Sequence, residues 1–143
     1  MPQDKQDLLR RIYDEAFNKG NVDVLDEIVA EDYQRHQPPY GEIKNLDEFK
    51  KFVTDVRNGY SGFRITLEEM IITGDTSVVR VILQGRHTGQ TPTVQAPPTG
   101  KQVTMTGCTV SHWSGDKISE EWAYNDYLGL TRQFGVVPPP GMY

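Results

Sequence analysis

The stretch that decides the fold is KQVTMTGCTVSHWSGDKISEEWAYNDY, residues 101–127. Apolar and polar residues alternate on both sides of the short segment SGDK, whose central Gly-Asp pair is typical of a tight hairpin turn. We therefore predict two antiparallel strands that meet at this turn. A β-bulge would shift the alternation by one residue. A regular two-residue turn instead pairs Ser114 with Lys117, Trp113 with Ile118 and His112 with Ser119.

Two further strands are predicted upstream of this hairpin. The segments FRITLEEMIITGD (63–75) and TSVVRVILQGRHTG (76–89) meet at a Gly-Asp turn. The next segment, QTPTVQAPPTG (90–100), is rich in Pro, Thr and Gly and is typical of a loop. The period of two in 76–89 places five residues on one face, which we predict to be inward. They are Val79, Val81, Leu83, Gly85 and His87.

Three helices are predicted before the strands. The segments 4–20, 21–33 and 45–60 each carry apolar residues at helical spacing, so each helix has one face to bury. Asn45 and Glu48 have the spacing of a capping box at the start of the third helix. Helices followed by an antiparallel meander predict an α+β fold, with the helices packed on one face of a curved sheet.

The composition narrows the class of protein. The chain has 143 residues and a formal net charge of −5, with 15 basic and 20 acidic side chains. This fits one domain over residues 1–143 and argues against binding nucleic acid through its phosphates. No apolar run reaches the ~20 residues that span a bilayer, so we expect a cytoplasmic protein with no membrane partner. The three histidines are far apart and Cys108 is the only cysteine, so no metal site is predicted.

Several short motifs occur in a characteristic order: EDYQRHQPP (31–39), GRHTG (85–89), PPTGK (97–101), W-x-x-x-D (122–126), and then Leu130, Gln133, Gly135 and Pro138. In this order, over roughly residues 8–138, the chain resembles the SnoaL-like polyketide or ester cyclase family. That family lies within the nuclear transport factor 2-like superfamily of cystatin-like α+β cones. The resemblance implies a cone-shaped, curved antiparallel or mixed sheet, with three N-terminal helices on one face enclosing a pocket. It also implies a homodimer, a small apolar oxygenated ligand of the polyketide type, and no metal or cofactor.

The resemblance makes Asp126 the general acid/base of an intramolecular aldol-type ring closure. The residues themselves leave two roles open. On a strand, Trp122, Tyr124 and Asp126 share one face, and if that face lined the pocket, desolvation would raise the pKa of the carboxylate. A base shifted toward neutrality abstracts a carbon-bound proton more readily. Alternatively, Asp126 caps a short helix predicted at 127–134.

Seven further residues are candidates for the site. His87 extends the inward face of its strand, and His112 shares a face with Asp126 if the hairpin carries a bulge, so either is a candidate catalytic partner. Aromatic side chains with polar tips can line a pocket and hydrogen-bond a carbonyl or hydroxyl group. For each residue the alternative is a structural role, as a core aromatic or as a histidine bonded to the backbone. The candidates for substrate binding are Tyr13, Tyr33, His36, Trp122 and Tyr124.

Two functions follow from these candidates. In the first, a cofactor-independent enzyme uses Asp126 to remove a proton beside a carbonyl, which leads to ring closure or isomerisation. In the second, the same cone only binds a small molecule or another protein. Asp126 is then neutralised by helix-cap bonds or by a cation, for which the candidates are Arg35, Arg86 and Arg132.

The face of the sheet that the helices leave uncovered is predicted to be mixed in character. It carries Ile82, Val110 and Ala123 beside polar side chains. Such a face can pack against a second copy of the chain, in the homodimer that the resemblance implies, or remain solvated.

Overall fold

The computed structural model describes residues 4–136, so Pro138 of the motif lies outside the described residues. Strands β2 to β5 form the predicted antiparallel meander, and β1 lies parallel to β5, so the sheet is mixed. The order across the sheet is β1-β5-β4-β3-β2. The five strands are β1 (Val29–His36), β2 (Tyr60–Thr73), β3 (Thr76–His87), β4 (Gln102–Ser114) and β5 (Lys117–Asn125).

Helices cover one face of this sheet, as predicted. Asn45 is the N-cap of the second α-helix, and its side chain accepts a hydrogen bond from the Glu48 amide, which confirms the predicted cap. In the part of the chain that the structure describes, no helix is both long and apolar enough to cross a bilayer. The helical segments are α1 (Lys5–Arg11), a π-helical turn (Ile12–Phe17), a 3₁₀ turn (Val22–Glu27), α2 (Leu46–Gly59) and α3 (Tyr127–Phe134).

Strand β1 replaces the end of the predicted second helix. The helical prediction through residue 33 is wrong, because the helical residues stop at Glu27 and the chain is extended from Val29. In β1 the side chains of Tyr33 and Arg35 are buried between more exposed neighbours, which is the alternation of a strand. A short apolar run fits either a helix or a strand until its pairing partner is known, and here that partner is β5.

A β-bulge in the β4–β5 hairpin decides which side chains face the helices. Trp113 lies opposite Ile118, as predicted, but His112 lies opposite Glu120 instead of Ser119. One extra residue in β5 reverses the alternation beyond the bulge. The side chains of β5 that are then inward are those of Glu121, Ala123 and Asn125, and those that are outward are Glu120, Trp122 and Tyr124.

This reversal corrects two predictions. The face shared by Trp122 and Tyr124 is the outer face, and 56% of Tyr124 is exposed, so the predicted inward orientation is wrong. Ala123, predicted on the outer face, is fully buried. The predicted inward face of β3 is confirmed, because all five of its residues are buried.

Candidate functional site

A largely apolar cavity lies between the helices and the inner face of the sheet. Its interior has room for about 50 Å³ of water-sized spheres, and the empty space up to and including its open mouth is about 620 Å³. Residues 91–93 of the loop that joins β3 to β4 form part of its wall. The apolar part of the wall includes Phe17, Phe52, Val56, Leu83 and Met105.

Arg35 brings a positive charge to this cavity. Its Cα lies opposite that of Glu121 on the neighbouring strand, and the two side chains form a salt bridge with Nη1 3.0 Å from Glu121 Oε1. Only 7% of Arg35 and 3% of Glu121 is exposed. Glu121 also accepts hydrogen bonds from the hydroxyl groups of Tyr33 (2.5 Å) and Ser111. Buried charges need this kind of pairing, because an isolated one would be strongly unfavourable.

The surroundings of Arg35 keep it ionised and fixed. Burial alone would lower its pKa, but the attraction of Tyr33 and Glu121 outweighs burial and raises the pKa above its ordinary value. The guanidinium carbon also lies 5.2 Å from the ring centroid of Phe49 and 5.9 Å from that of Phe52. Cation–π contacts at these distances are favourable. The charge is therefore permanent and held in one orientation.

One nitrogen of Arg35 is left for a ligand. Nε donates to Gln37 Oε1 at 3.3 Å, and Nη1 donates to Glu121 and Tyr33. Within residues 4–136 no acceptor is found for Nη2, while the Arg35 side chain lines the cavity. A guanidinium N–H is a donor only, so this group can bind an oxygen atom of a molecule in the cavity.

Two tyrosines add neutral donors to the wall. Tyr13, a predicted binding residue, lines the cavity, as does Tyr127. Burial is the main cause that raises the pKa of both phenols above 10, so both keep their hydroxyl hydrogen at neutral pH. The π-helical turn places Tyr13 and Phe17 with stacked rings 5.6 Å apart, and both side chains face the cavity. π-Helical turns often occur at functional sites.

Asp126 caps α3, which is the alternative that the sequence left open. Its Oδ1 accepts a hydrogen bond from the Gly129 amide at 2.8 Å, and the residue is exposed. Its side chain is not among those that line the cavity. Because the bulge changes the face of β5 before this point, the predicted approach of Asp126 to the pocket is wrong. Arg35, a candidate cation for Asp126, pairs with Glu121 instead.

We expect Asp126 to matter for stability. Asp126→Ala is expected to lower the free energy of unfolding by about 1 kcal/mol, because a cap bond is lost, and Asp126→Asn by less, because Asn is also a good cap. Urea denaturation measures both. Equal stability of Asp126→Ala and wild type would contradict the role of Asp126 as a cap.

The predicted histidines lie outside the cavity wall. His36 lies beside Trp122, with ring centroids 5.3 Å apart, and its two nitrogens contact Glu42 and Glu120 at 2.9 and 2.7 Å. His112 lies 4.7 Å from Trp122 between ring centroids, on the same outer face. The bulge, which the sequence left open as an alternative to a regular turn, does turn His112 to the face of Trp122, but that face points away from the cavity.

His87 is a buried core histidine. It is fully buried and stacked on Phe134, with ring centroids 4.0 Å apart. Its Nδ1 accepts a hydrogen bond from the Thr99 amide at 3.2 Å. Tyr33, a predicted binding residue, is likewise fully buried and bonded to Glu121 behind the cavity wall. Within residues 4–136 no cluster of three or more His, Cys, Asp or Glu side chains could hold a metal ion.

Two histidines are expected to give opposite dependences of stability on pH. Burial lowers the pKa of His87 below 6.5, so the unfolded chain binds its proton first and stability is lost as pH falls below about 6.5. Hydrogen bonds to Glu120 and Glu42 raise the pKa of His36, so its contribution is present below 6.5 and is lost as pH rises through the folded-state pKa. Urea denaturation from pH 5 to 8 gives the free energy of unfolding as a function of pH. This dependence should be weaker at acid pH in His87→Gln and weaker near neutral pH in His36→Gln. Slopes equal to wild type would contradict the assignment.

Sequence reasoning missed Glu121, Asn125 and Tyr127 and saw Arg35 only as a possible partner of Asp126. The alternation of Tyr33 and Arg35 in EDYQRHQ could have revealed the inward face of β1. No local signal places the bulge at Ser119, and without it Glu121 is assigned to the outer face.

The fold and the cavity define a class: an α+β protein whose mixed sheet and covering helices enclose a largely apolar cavity. The model of the SnoaL-like polyketide cyclase family matches residues 7–134. The chain therefore belongs to the SnoaL-like polyketide cyclase family.

Solved structures of several bacterial proteins share this fold. IdmH from Streptomyces antibioticus is 26% identical, with a TM-score of 0.78 over 94% of this chain and 100% of that chain. TsrD from Streptomyces laurentii is 21% identical, with a TM-score of 0.83 over 94% and 99%. A SnoaL-like protein from Jannaschia sp. CCS1 is 20% identical, with a TM-score of 0.82 over 96% and 99%. No curated protein matches the chain.

Proposed function

We propose that the protein is a cofactor-independent enzyme of the cyclase or isomerase type, acting on a small apolar oxygenated molecule such as a polyketide. The observation that carries the proposal is the buried guanidinium of Arg35, with a free N–H at an apolar cavity. A fixed positive donor in a water-poor site stabilises negative charge that develops on an oxygen atom.

The proposed chemistry is formation of an enolate. The carbonyl oxygen of the substrate accepts a hydrogen bond from Arg35 Nη2, and the neighbouring carbon loses its proton to water at the cavity mouth. Negative charge then grows on the oxygen, and its attraction to the guanidinium grows with it. Attack of the enolate carbon on a second carbonyl closes a ring, whereas return of the proton to another carbon gives an isomer. Glu121 keeps Arg35 in place and does not react.

A 1,3-diketone tests this proposal without knowledge of the natural substrate. Benzoylacetone is mostly enol in an apolar stock solution, and its enol absorbance decays when the stock is diluted into water. The enolate is the intermediate of this conversion to the ketone, so the protein is expected to accelerate the decay in proportion to its concentration. Binding of benzoylacetone with no acceleration at any protein concentration would reject the enzyme.

A second candidate is a binding protein without turnover. It is favoured by the cap bonds of Asp126 and by the side chains of the described cavity wall, which include no carboxylate and no imidazole. The same assay separates the two functions, because a binding protein changes the spectrum of the bound ligand and leaves the rate of ketonisation unchanged.

We also propose a homodimer that packs through the outer face of the sheet. Ile82 and Val110 are partly exposed there beside Trp122, and Tyr124 is more than half exposed. A mixed apolar and polar face of this kind suits a moderate interface. Sedimentation equilibrium measures the mass, and a monomer at micromolar concentration would reject the dimer.

A further inference from the structure

A second polar pair faces the cavity where β5 meets α3. Asn125 is turned inward by the bulge, and Tyr127 is the first residue of α3, which the Asp126 cap holds in place. Both side chains line the cavity. Asn125 Nδ2 donates a hydrogen bond to the hydroxyl oxygen of Tyr127 at 3.1 Å.

Gly107 leaves room for the Asn125 amide. A Cβ at Gly107, which lies opposite Asn125 in the β4–β5 pair, would sit 1.7 Å from Asn125 Oδ1. The missing side chain therefore makes room for the amide in this orientation, with Oδ1 toward Gly107 and Nδ2 toward the Tyr127 hydroxyl. A glycine inside a strand is unfavourable unless it allows a close approach of this kind.

The direction of the bond has a consequence for the Tyr127 hydroxyl. Its oxygen accepts from Asn125, so its hydrogen must be donated elsewhere. Among the described residues no acceptor for that hydrogen is found, although 93% of the residue is buried, with 7% exposed. A buried donor without a partner is unfavourable unless a ligand or water accepts from it. The hydrogen therefore belongs to the cavity.

We propose that the Tyr127 hydroxyl donates a hydrogen bond to an oxygen of the bound ligand, and that Asn125 is the positioning residue that turns this hydrogen into the cavity. The inference rests on the proposed function for the class of ligand, a small oxygenated molecule. Together with Arg35, which lies on β1 beside the middle of β5, Tyr127 just after the end of β5 gives the cavity two donors, so it selects ligands that present two oxygen acceptors on an apolar body.

The variant that tests the positioning role is Asn125→Asp. It keeps the size of the side chain and its contact with Tyr127, but an ionised carboxylate only accepts hydrogen bonds. The Tyr127 hydroxyl must then donate to the carboxylate and is withdrawn from the ligand. A merely structural role would survive this change, because the hydrogen bond between residues 125 and 127 persists. When the carboxyl group takes up a proton at lower pH, it donates to Tyr127 again, so the effect is expected to reverse.

Infrared spectroscopy of 1,4-cyclohexanedione labelled with ¹³C at both carbonyls, which offers one oxygen to each donor, detects the hydrogen bonds directly. The carbonyl stretching frequency falls with each hydrogen bond that the oxygen accepts, and this ketone need not react. At pH 8, Tyr127→Phe and Asn125→Asp are each expected to raise the frequency of one carbonyl of the bound diketone by the same amount, and the double variant by no more. Lowering the pH should return the band to its wild-type position in Asn125→Asp and leave it unchanged in Tyr127→Phe. Tyr124→Phe, on the outer face, is the matched control and is expected to leave the band in place.

Each outcome decides between the proposals. A wild-type band in Tyr127→Phe would overturn the donor, and a shifted band in Tyr127→Phe with a wild-type band in Asn125→Asp would overturn the positioning role. If the bands shift but benzoylacetone ketonisation is not accelerated, this inference stands and the enzyme is rejected. If ketonisation is accelerated but the bands do not shift, the enzyme stands and this inference is rejected. If Asn125→Asp fails to fold, Gly107→Ala tests the same arrangement, because its Cβ displaces the amide and is expected to raise the frequency likewise.

Discussion

Replacement of Arg35 by Met is expected to lower kcat/KM for ketonisation of benzoylacetone by at least about 100-fold, the usual loss when one donor to a developing oxyanion is removed. Met fills much of the space of the arginine stem but has no positive charge and no N–H. Because the donor acts on charge that develops during the reaction, the loss should appear mainly in kcat. Stopped-flow absorbance of the enol, with protein in excess, separates kcat from KM.

The Arg35→Met variant leaves the carboxylate of Glu121 buried without its cation. Breaking a buried pair in this way costs about 3–5 kcal/mol of stability, so the single variant is expected to unfold at lower urea. The double variant Arg35→Met, Glu121→Gln removes the remaining charge, keeps an acceptor for the Tyr33 hydroxyl, and should recover most of that stability without recovering turnover. Arg132→Met, at an exposed position of α3, is the matched control and should keep wild-type turnover. A folded double variant with wild-type kcat would remove Arg35 from the mechanism.

The fold was largely predictable because its signals are local. The alternation in β3, the Gly-Asp turns and the Asn45 cap each depend on a few neighbouring residues, and each is found as predicted. Strand β1 was not predictable in the same way, since its assignment depends on pairing with β5, about 85 residues further along the chain. The family resemblance supplied the parts of the architecture that periodicity could not, and the family match confirms it.

The site was much less predictable, and one residue explains most of the difference. Strict alternation from Ile118 assigns Trp122 and Tyr124 to the pocket, whereas the bulge at Ser119 turns Glu121 and Asn125 inward. A bulge accompanies the bending of a strand within the whole sheet, so the neighbouring residues do not predict its position. The burial of Arg35 was not predictable either, because an arginine in a strand is expected at the surface unless its buried partner is known.

Phe49→Ala is expected to lower the free energy of unfolding by about 3–5 kcal/mol, the usual range for a buried phenylalanine. The ring is 1% exposed and lies between the helices and the Arg35 pair. Its centroid is 4.9 Å from that of Tyr33 and 6.3 Å from that of Phe17, and the guanidinium carbon of Arg35 lies 5.2 Å from it. The substitution therefore removes apolar contacts, two aromatic pairs and the cation–π contact with Arg35 at once. Urea denaturation measures the loss.

Phe52 is the matched comparison, because it also packs against Arg35, with the guanidinium carbon 5.9 Å from its ring centroid. It is only partly buried and lines the cavity, so Phe52→Ala leaves a gap that solvent or ligand can enter. We expect a smaller loss of stability, below about 2 kcal/mol, together with a several-fold higher dissociation constant for 1-tetralone measured by calorimetry. In Phe49→Ala the free energy of ligand binding to the folded fraction should change less than the free energy of unfolding does. Equal losses of stability in the two variants would contradict the division between a core ring that supports Arg35 and a wall ring that contacts the ligand.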